Sequence, residues 1–377
     1  MHGVELFYPG ILERTPIRAL PLPIVVSGHS GPVAQDLKEL GIAPLEEDCD
    51  LRAYPRVDVP TDALGFANPP ELGEGDADFL FIGDSFGIAA AATNPKGLVQ
   101  RFAERTNSRI FNLSVAGIGP IREEWLLENV GFEKKPSCVI WMFYAGNDTL
   151  DLAEPLIHEH FGRNTWADAY PERRAPRSYL LLLLKSWFPK RPSPAPNSPL
   201  EGHDFRLTDG STQPIWFLPD NLRHATKSRE NWETDLGWQQ AKEALVRAHQ
   251  ACSDRGIDFL AVYLPTKTEV YLPYVKEDAN LLLQTAQRGA EEPLEFDPET
   301  FLRLAQFNHH TLEETFLDHC RNAGIACLSA RPALQRQAGE GELGYLACDT
   351  HWQEKGQGAL LEPLLQALAE LGVTQSD

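Results

Sequence analysis

The chain has 377 residues, long enough to bury one large core with insertions, or two domains. Its composition, 42% hydrophobic and 23% charged, is globular, and a formal net charge of −20 leaves no basic surplus for phosphates. That balance excludes a general nucleic-acid binder and disfavours docking on anionic lipid.

The six cysteines (Cys49, Cys138, Cys252, Cys320, Cys327, Cys348) include no Cys-x-x-Cys pair. Reduced thiols are therefore expected, with neither a zinc site nor a dense disulfide framework. The longest apolar run, 138–145, is far short of the roughly 18 residues that a membrane span needs. The first residues lack the features of a secretion signal, so the expectation is a soluble chain, cytoplasmic by default.

Residues 1–75 are rich in proline and acidic side chains and read as an irregular wrap around the main domain, 76–377. At Phe79 the pattern changes. The predicted elements are a strand at 79–82, a helix at 97–105, a strand at 109–113, a helix at 122–129 and an apolar strand at 138–143. Such alternation predicts a parallel sheet covered on both faces. Residues 151–232 form an insertion, with a Pro-rich linker at 190–196 and a hairpin built from 205–208 and 214–218 around Asp209-Gly210. The pattern resumes with a long helix at 232–255 and a strand at 257–264. A second, acidic insertion at 276–300 comes before a helix near 312–323, a strand at 325–328 and a last helix at 353–371. The expected fold is a three-layer α/β/α sandwich with a mainly parallel sheet of about five strands.

Ligands of such sheets sit beyond the carboxyl ends of the strands, which is where the chain places its chemistry-bearing residues. The first strand runs directly into Gly83-Asp84-Ser85-Phe86-Gly87, followed by four alanines at 89–92 that favour helix. A serine on a strand-to-helix turn exposes its hydroxyl, and its N–H faces the positive end of a helix. Many Gly-Asp-Ser triplets are ordinary turns, so the neighbours decide. The second strand ends in Asn112-Leu113-Ser114-Val115-Ala116-Gly117, where Gly117 lets backbone approach a ligand closely. The third ends in Tyr144-Ala145-Gly146-Asn147-Asp148, where the Asn147 amide is placed to donate to an oxyanion. Near the C-terminus, Asp349-Thr350-His351-Trp352 supplies an acid two residues before a base, as a serine nucleophile requires.

Taken together, these motifs resemble the SGNH (GDSL-type) hydrolase superfamily over about 79–148 and 349–371. The resemblance implies that Ser85 is the nucleophile, with Asp349 and His351 as acid and base. It implies oxyanion donors at Ser85, Gly117 and Asn147, and a structural role for Asp84. More narrowly, Asp349-Thr350-His351-Trp352 and the run Pro265-Thr266-Lys267-Thr268-Glu269-Val270-Tyr271 look like the SGNH-like domains of bacterial alginate and exopolysaccharide O-acetyltransferases. Lys267 and Tyr271 lie after a strand that should end near the site, and with Trp352 they are expected to contact substrate.

No cofactor or metal is expected. His158-Glu159-His160 and His309-His310 read as solvated surface, and Lys185, Trp187, Phe188, Lys190 and Arg191 as a loop anchored by aromatics. Three classes stay open: an esterase for small or carbohydrate-borne esters, a polysaccharide O-acetyltransferase using the same site, and a non-catalytic binding module. The insertion after Asn147 is the expected cover over the site.

Overall fold

The computed structural model describes residues 62, 66–68, 75–88, 97–115, 117–149, 202–288, 290, 293–347 and 349–373, together with the backbone of two strands at 25–29 and 56–60. The alanines at 89–92, the part of the expected cover at 151–201, the histidines at 158–160 and the basic–aromatic stretch at 185–191 lie outside the described residues.

Strands β1 (Val25–His29) and β2 (Arg56–Pro60) pair antiparallel within the expected N-terminal wrap. The strands that follow are β3 (Phe79–Ile82), β4 (Ile110–Asn112), β5 (Cys138–Tyr144), β6 (His203–Arg206), β7 (Thr212–Ile215), β8 (Asp258–Leu264) and β9 (Ala326–Ser329). Five of them form one sheet in the order β4-β3-β5-β8-β9, and every pairing in it is parallel. β6 and β7 make a separate antiparallel hairpin.

Side-chain alternation along the strands divides the interior into two cores. Phe79, Phe81, Ile140, Met142, Tyr144, Leu260 and Val262 face one way, against the helices Leu98–Thr106, Ala279–Gln287 and Leu361–Glu370 and the hairpin. Leu80, Ile82, Val139, Trp141, Phe143, Ala261 and Tyr263 face the other, against Pro120–Asn129, Leu236–Ser253 and Thr311–Ala323. This is the expected α/β sandwich. The central strands are apolar along their whole length because both of their faces are covered.

Two expected helices are corrected, and one expected insertion is seen to hold a helix. The helix expected at 232–255 is two helices, Arg229–Glu233 and Leu236–Ser253, because Asp235 accepts the Trp238 N–H and caps a new start. The stretch expected as an acidic insertion, 276–300, contains the helix Ala279–Gln287, whose Leu282, Leu283 and Ala286 are buried in the first core. The last helix divides at Leu360 into Glu354–Ala359 and Leu361–Glu370. The expected hairpin is present, shifted two residues toward the N-terminus, and its Phe205 and Ile215 are core residues.

The strand order has a direct consequence for the site. From β3 the chain winds to β4 at one sheet edge, then returns past β3 to β5 and continues the other way. The crevice between the carboxyl ends of β3 and β5 is therefore a topological switch point, where an open α/β sheet can receive a ligand between diverging loops.

Candidate active site

Ser85 stands three residues beyond β3, in a turn over 84–88, at that crevice. The buried Asp84 ties the turn together by accepting the Phe86 N–H through Oδ1 at 2.9 Å. Burial pushes the Asp84 carboxyl up to about 6, opposed by the Phe86 hydrogen bond, the His351 charge and the Asn147 side chain. Phe86 turns inward, with its ring centroid 4.2 Å from Tyr144, 5.2 Å from His351 and 5.3 Å from Trp352. The residue beside Ser85 is thus fixed by aromatic packing.

Segments more than 260 residues apart in the chain meet here. His351 Nε2 lies 2.7 Å from Ser85 Oγ, and His351 Nδ1 lies 2.6 Å from Asp349 Oδ1. The same carboxylate oxygen accepts the His351 backbone N–H at 2.7 Å, so the two-residue spacing closes a tight turn around the acid. With Nδ1 donating its proton to Asp349, the Nε2 lone pair faces the serine hydroxyl. Both groups are nearly enclosed, with side chains 4% exposed for Asp349 and 17% for His351. Burial pulls the imidazole down, but the Asp349 charge and hydrogen bond outweigh it and leave His351 above its ordinary value. Burial pushes Asp349 up, while His351 and Lys267 hold it below the usual carboxylate range.

Gly117 and Asn147 end on the same side of the sheet, after β4 and β5. Gly117 has φ +73°, a left-handed conformation natural to glycine, and its carbonyl accepts from Arg122 Nη2 at 2.9 Å. Asn147 follows Gly146, where a Cβ would fall 2.3 Å from the Tyr144 ring. That strand-end turn is closed by Asp148, whose Oδ2 accepts the Tyr144 N–H at 2.8 Å.

The three residues expected to contact substrate are all buried. Trp352 is 1% exposed and packs edge-on against Phe86 and Tyr345. Tyr271 is fully buried: its hydroxyl accepts the Gly344 N–H at 2.6 Å and donates to Glu342 O at 3.3 Å. Lys267 is 3% exposed and donates through Nζ to Trp216 O and Ala347 O, each at 2.9 Å. Tyr345 Oη adds a 2.5 Å bond to Pro265 O. The run 265–271 therefore lies against the loop that carries Asp349 and His351, with Pro265 O, Lys267 Nζ and Tyr271 Oη hydrogen-bonded to its 342–347 segment.

Two supports escape a sequence reading. Asn112, the last residue of β4, donates through Nδ2 to Gly87 O at 2.8 Å and accepts the Ser114 N–H through Oδ1 at 3.1 Å. Asn68 in turn pairs with both backbone groups of Asn112, at 2.8 and 3.0 Å, and with Asp62 at 2.9 Å. The N-terminal segment thereby props the serine turn from the sheet edge. A polar residue ending an apolar strand, as Asn112 does, was the available signal. The second support is Thr350, whose hydroxyl is hydrogen-bonded to Tyr144 Oη. Among the described residues no cluster of three metal-ligating side chains exists, and no helix is long and apolar enough to cross a membrane.

No protein-family model matches the chain, and no curated protein matches it. Solved structures similar to it include TesA, at 13% identity and a TM-score of 0.37, covering 78% of this chain and 98% of that one. Phospholipase A1 from Streptomyces albidoflavus is similar at 11% identity and a TM-score of 0.42, covering 78% and 99%. The acetylxylan esterase Axe2 from Geobacillus stearothermophilus is similar at 11% identity and a TM-score of 0.36, covering 78% and 95%. At such TM-scores these likenesses decide neither chemistry nor substrate.

Proposed function

We propose that this chain is a serine enzyme of the SGNH (GDSL-type) kind that cleaves small or carbohydrate-borne esters through an acyl-serine. The observation that carries the reading is the unbroken relay Ser85 Oγ–His351 Nε2 and His351 Nδ1–Asp349 Oδ1, at 2.7 and 2.6 Å, beyond the carboxyl ends of the sheet.

His351 takes the Ser85 proton as Oγ attacks the ester carbonyl, and Asp349 stabilises the imidazolium that forms. The N–H groups of Ser85 and Gly117 and the Asn147 amide receive the tetrahedral oxyanion. Collapse expels the alcohol with the proton from His351. Water, deprotonated by the same imidazole, then releases the acid. Because the base must be neutral and its proton affinity is raised, kcat/KM climbs with pH through a value above that of free imidazole.

Turnover of p-nitrophenyl acetate tests the reading, paired with labelling by a fluorophosphonate probe. Native protein is expected to turn over the ester and to be labelled at Ser85. Ser85→Ala should lose at least about 10³ in kcat, and Asn147→Ala about 10²–10³. Undiminished turnover by Ser85→Ala sinks the reading, and no labelling of folded native protein sinks it too and leaves a binding module. A sugar acceptor in the same assay divides the remaining classes: acetylated sugar assigns transfer, free acetate alone assigns hydrolysis.

A further inference from the structure

Beneath the Asp349–His351 pair lies a buried ammonium group. Lys267 opens the helix Lys267–Tyr271 just past β8, and its Nζ reaches Trp216 O beside the hairpin and Ala347 O, two residues before Asp349. Ala347 O also accepts the Trp216 N–H at 2.9 Å, so hairpin and loop are stitched at one point. A neutral amide could satisfy two backbone carbonyls. Burying a cation there costs far more, and burial pulls this one down to about 7 while Asp349 opposes the fall. Below about pH 7, where the group is still charged, that cost calls for an explanation that hydrogen bonding alone does not supply.

The surroundings supply one. The charged groups facing His351 are Asp349 and Asp84, which both raise its proton affinity, and Lys267, which lowers it. Without the ammonium, only burial would oppose the two carboxylates, and the imidazole would stay protonated to higher pH, where it is useless as a base.

We propose that Lys267 is a positioning residue for the Asp349–His351 pair: its carbonyl bonds fix the loop that carries the pair, and its charge restrains the proton affinity of His351. This rests on the reading of His351 as the base.

The test follows the His351 ring by NMR across pH in the full chain, its signals assigned by their loss in His351→Gln, with kcat/KM for p-nitrophenyl acetate measured in parallel. Lys267→Gln keeps a donor and drops the charge. It should raise the His351 midpoint by about half to one unit, three- to tenfold in proton affinity, and move the acid limb of kcat/KM the same way. Lys267→Arg, which keeps a charge, should return the midpoint toward native. A midpoint unmoved in folded Lys267→Gln, or moved equally in both variants, overturns the proposal; a purely structural role lowers kcat without moving the midpoint. Should Lys267→Gln not fold, native protein reads the coupling directly: the Lys267 13Cε resonance and the His351 ring signals followed across pH should each carry an inflection at the other's midpoint, and two independent single-midpoint curves overturn the proposal. The NMR midpoint needs no turnover, so an inactive native chain would sink the esterase reading without deciding this one.

Discussion

Gly87 has no room for a side chain. A Cβ there would sit 2.0 Å from Ser114 Oγ, 2.6 Å from Ser114 Cβ and 2.7 Å from the Met142 methyl group. Space, and not a left-handed backbone, demands glycine at this position. The residue lies two past Ser85, and its carbonyl is held by Asn112, so displacing it displaces the serine turn. Gly87→Ala is expected to cost about 1–3 kcal/mol by overpacking, seen as a lower urea midpoint, and to cut acyl-ester turnover more than ground-state binding. Adding Ser114→Gly removes the two closest atoms and should recover part of both losses. If Gly87→Ala is as stable and active as native protein, the turn is not held as tightly as this packing implies. At this scale the placement of the candidate residues was legible: Ser85, Gly117, Asn147, Asp349 and His351 each follow a strand or precede a helix in a way that sequence displays. The contact that fixes Phe86 against Tyr144 and His351 was not, because it joins three segments far apart in the chain.

The element after β8 shows a motif whose location is legible while its contacts are not. Its position follows from the end of a strand, but its Lys267 and Tyr271 side chains reach a segment some 80 residues later, and nothing in the local pattern of 265–271 encodes that partner. Thr266 and Glu269 form a capping box that starts the helix, with Thr266 Oγ1 accepting the Glu269 N–H at 3.2 Å and Glu269 Oε2 accepting the Thr266 N–H at 2.6 Å. With the helix start fixed, Lys267 and Tyr271 stand four residues apart on one face, both turned to the 342–347 segment. Tyr271→Phe keeps the ring and removes the acceptor of the buried Gly344 N–H. It should cost about 1–3 kcal/mol, read as a lower urea midpoint at unchanged slope. If Tyr271 contacted substrate instead, the variant would raise KM and leave the urea midpoint in place.

Across the whole molecule, the number of sheet strands and their parallel sense were readable from apolar runs alternating with helices, but their order was not. Apolar strands such as β3, β5 and β8 are interchangeable as hydrophobic segments, and their neighbours are chosen by packing over the complete sheet. The hairpin inserted after β5 is bound into the same core, and it brings a titratable group with it. His203 is 2% exposed, neither ring nitrogen has a hydrogen-bond partner among the described residues, and its ring centroid is 4.9 Å from that of Phe217. Burial pushes its proton affinity down to about 4, only partly opposed by the Asp278 charge. The folded chain therefore holds His203 neutral, while the unfolded chain protonates it near pH 6.5. Its share of stability is complete above pH 6.5 and is lost as pH falls toward 4, about 2–3 kcal/mol by pH 4.5. Carboxylates, abundant in a chain of net charge −20, also take up protons over that range, so the total slope does not isolate the histidine. The difference between native protein and His203→Phe does, since every other group is common to both and phenylalanine can occupy the same apolar site beside Phe217. Urea unfolding at pH 7 and pH 4.5 should show the native chain losing about 2–3 kcal/mol more than the variant over that interval. Equal losses would mean that His203 finds a proton-accepting partner in the folded state.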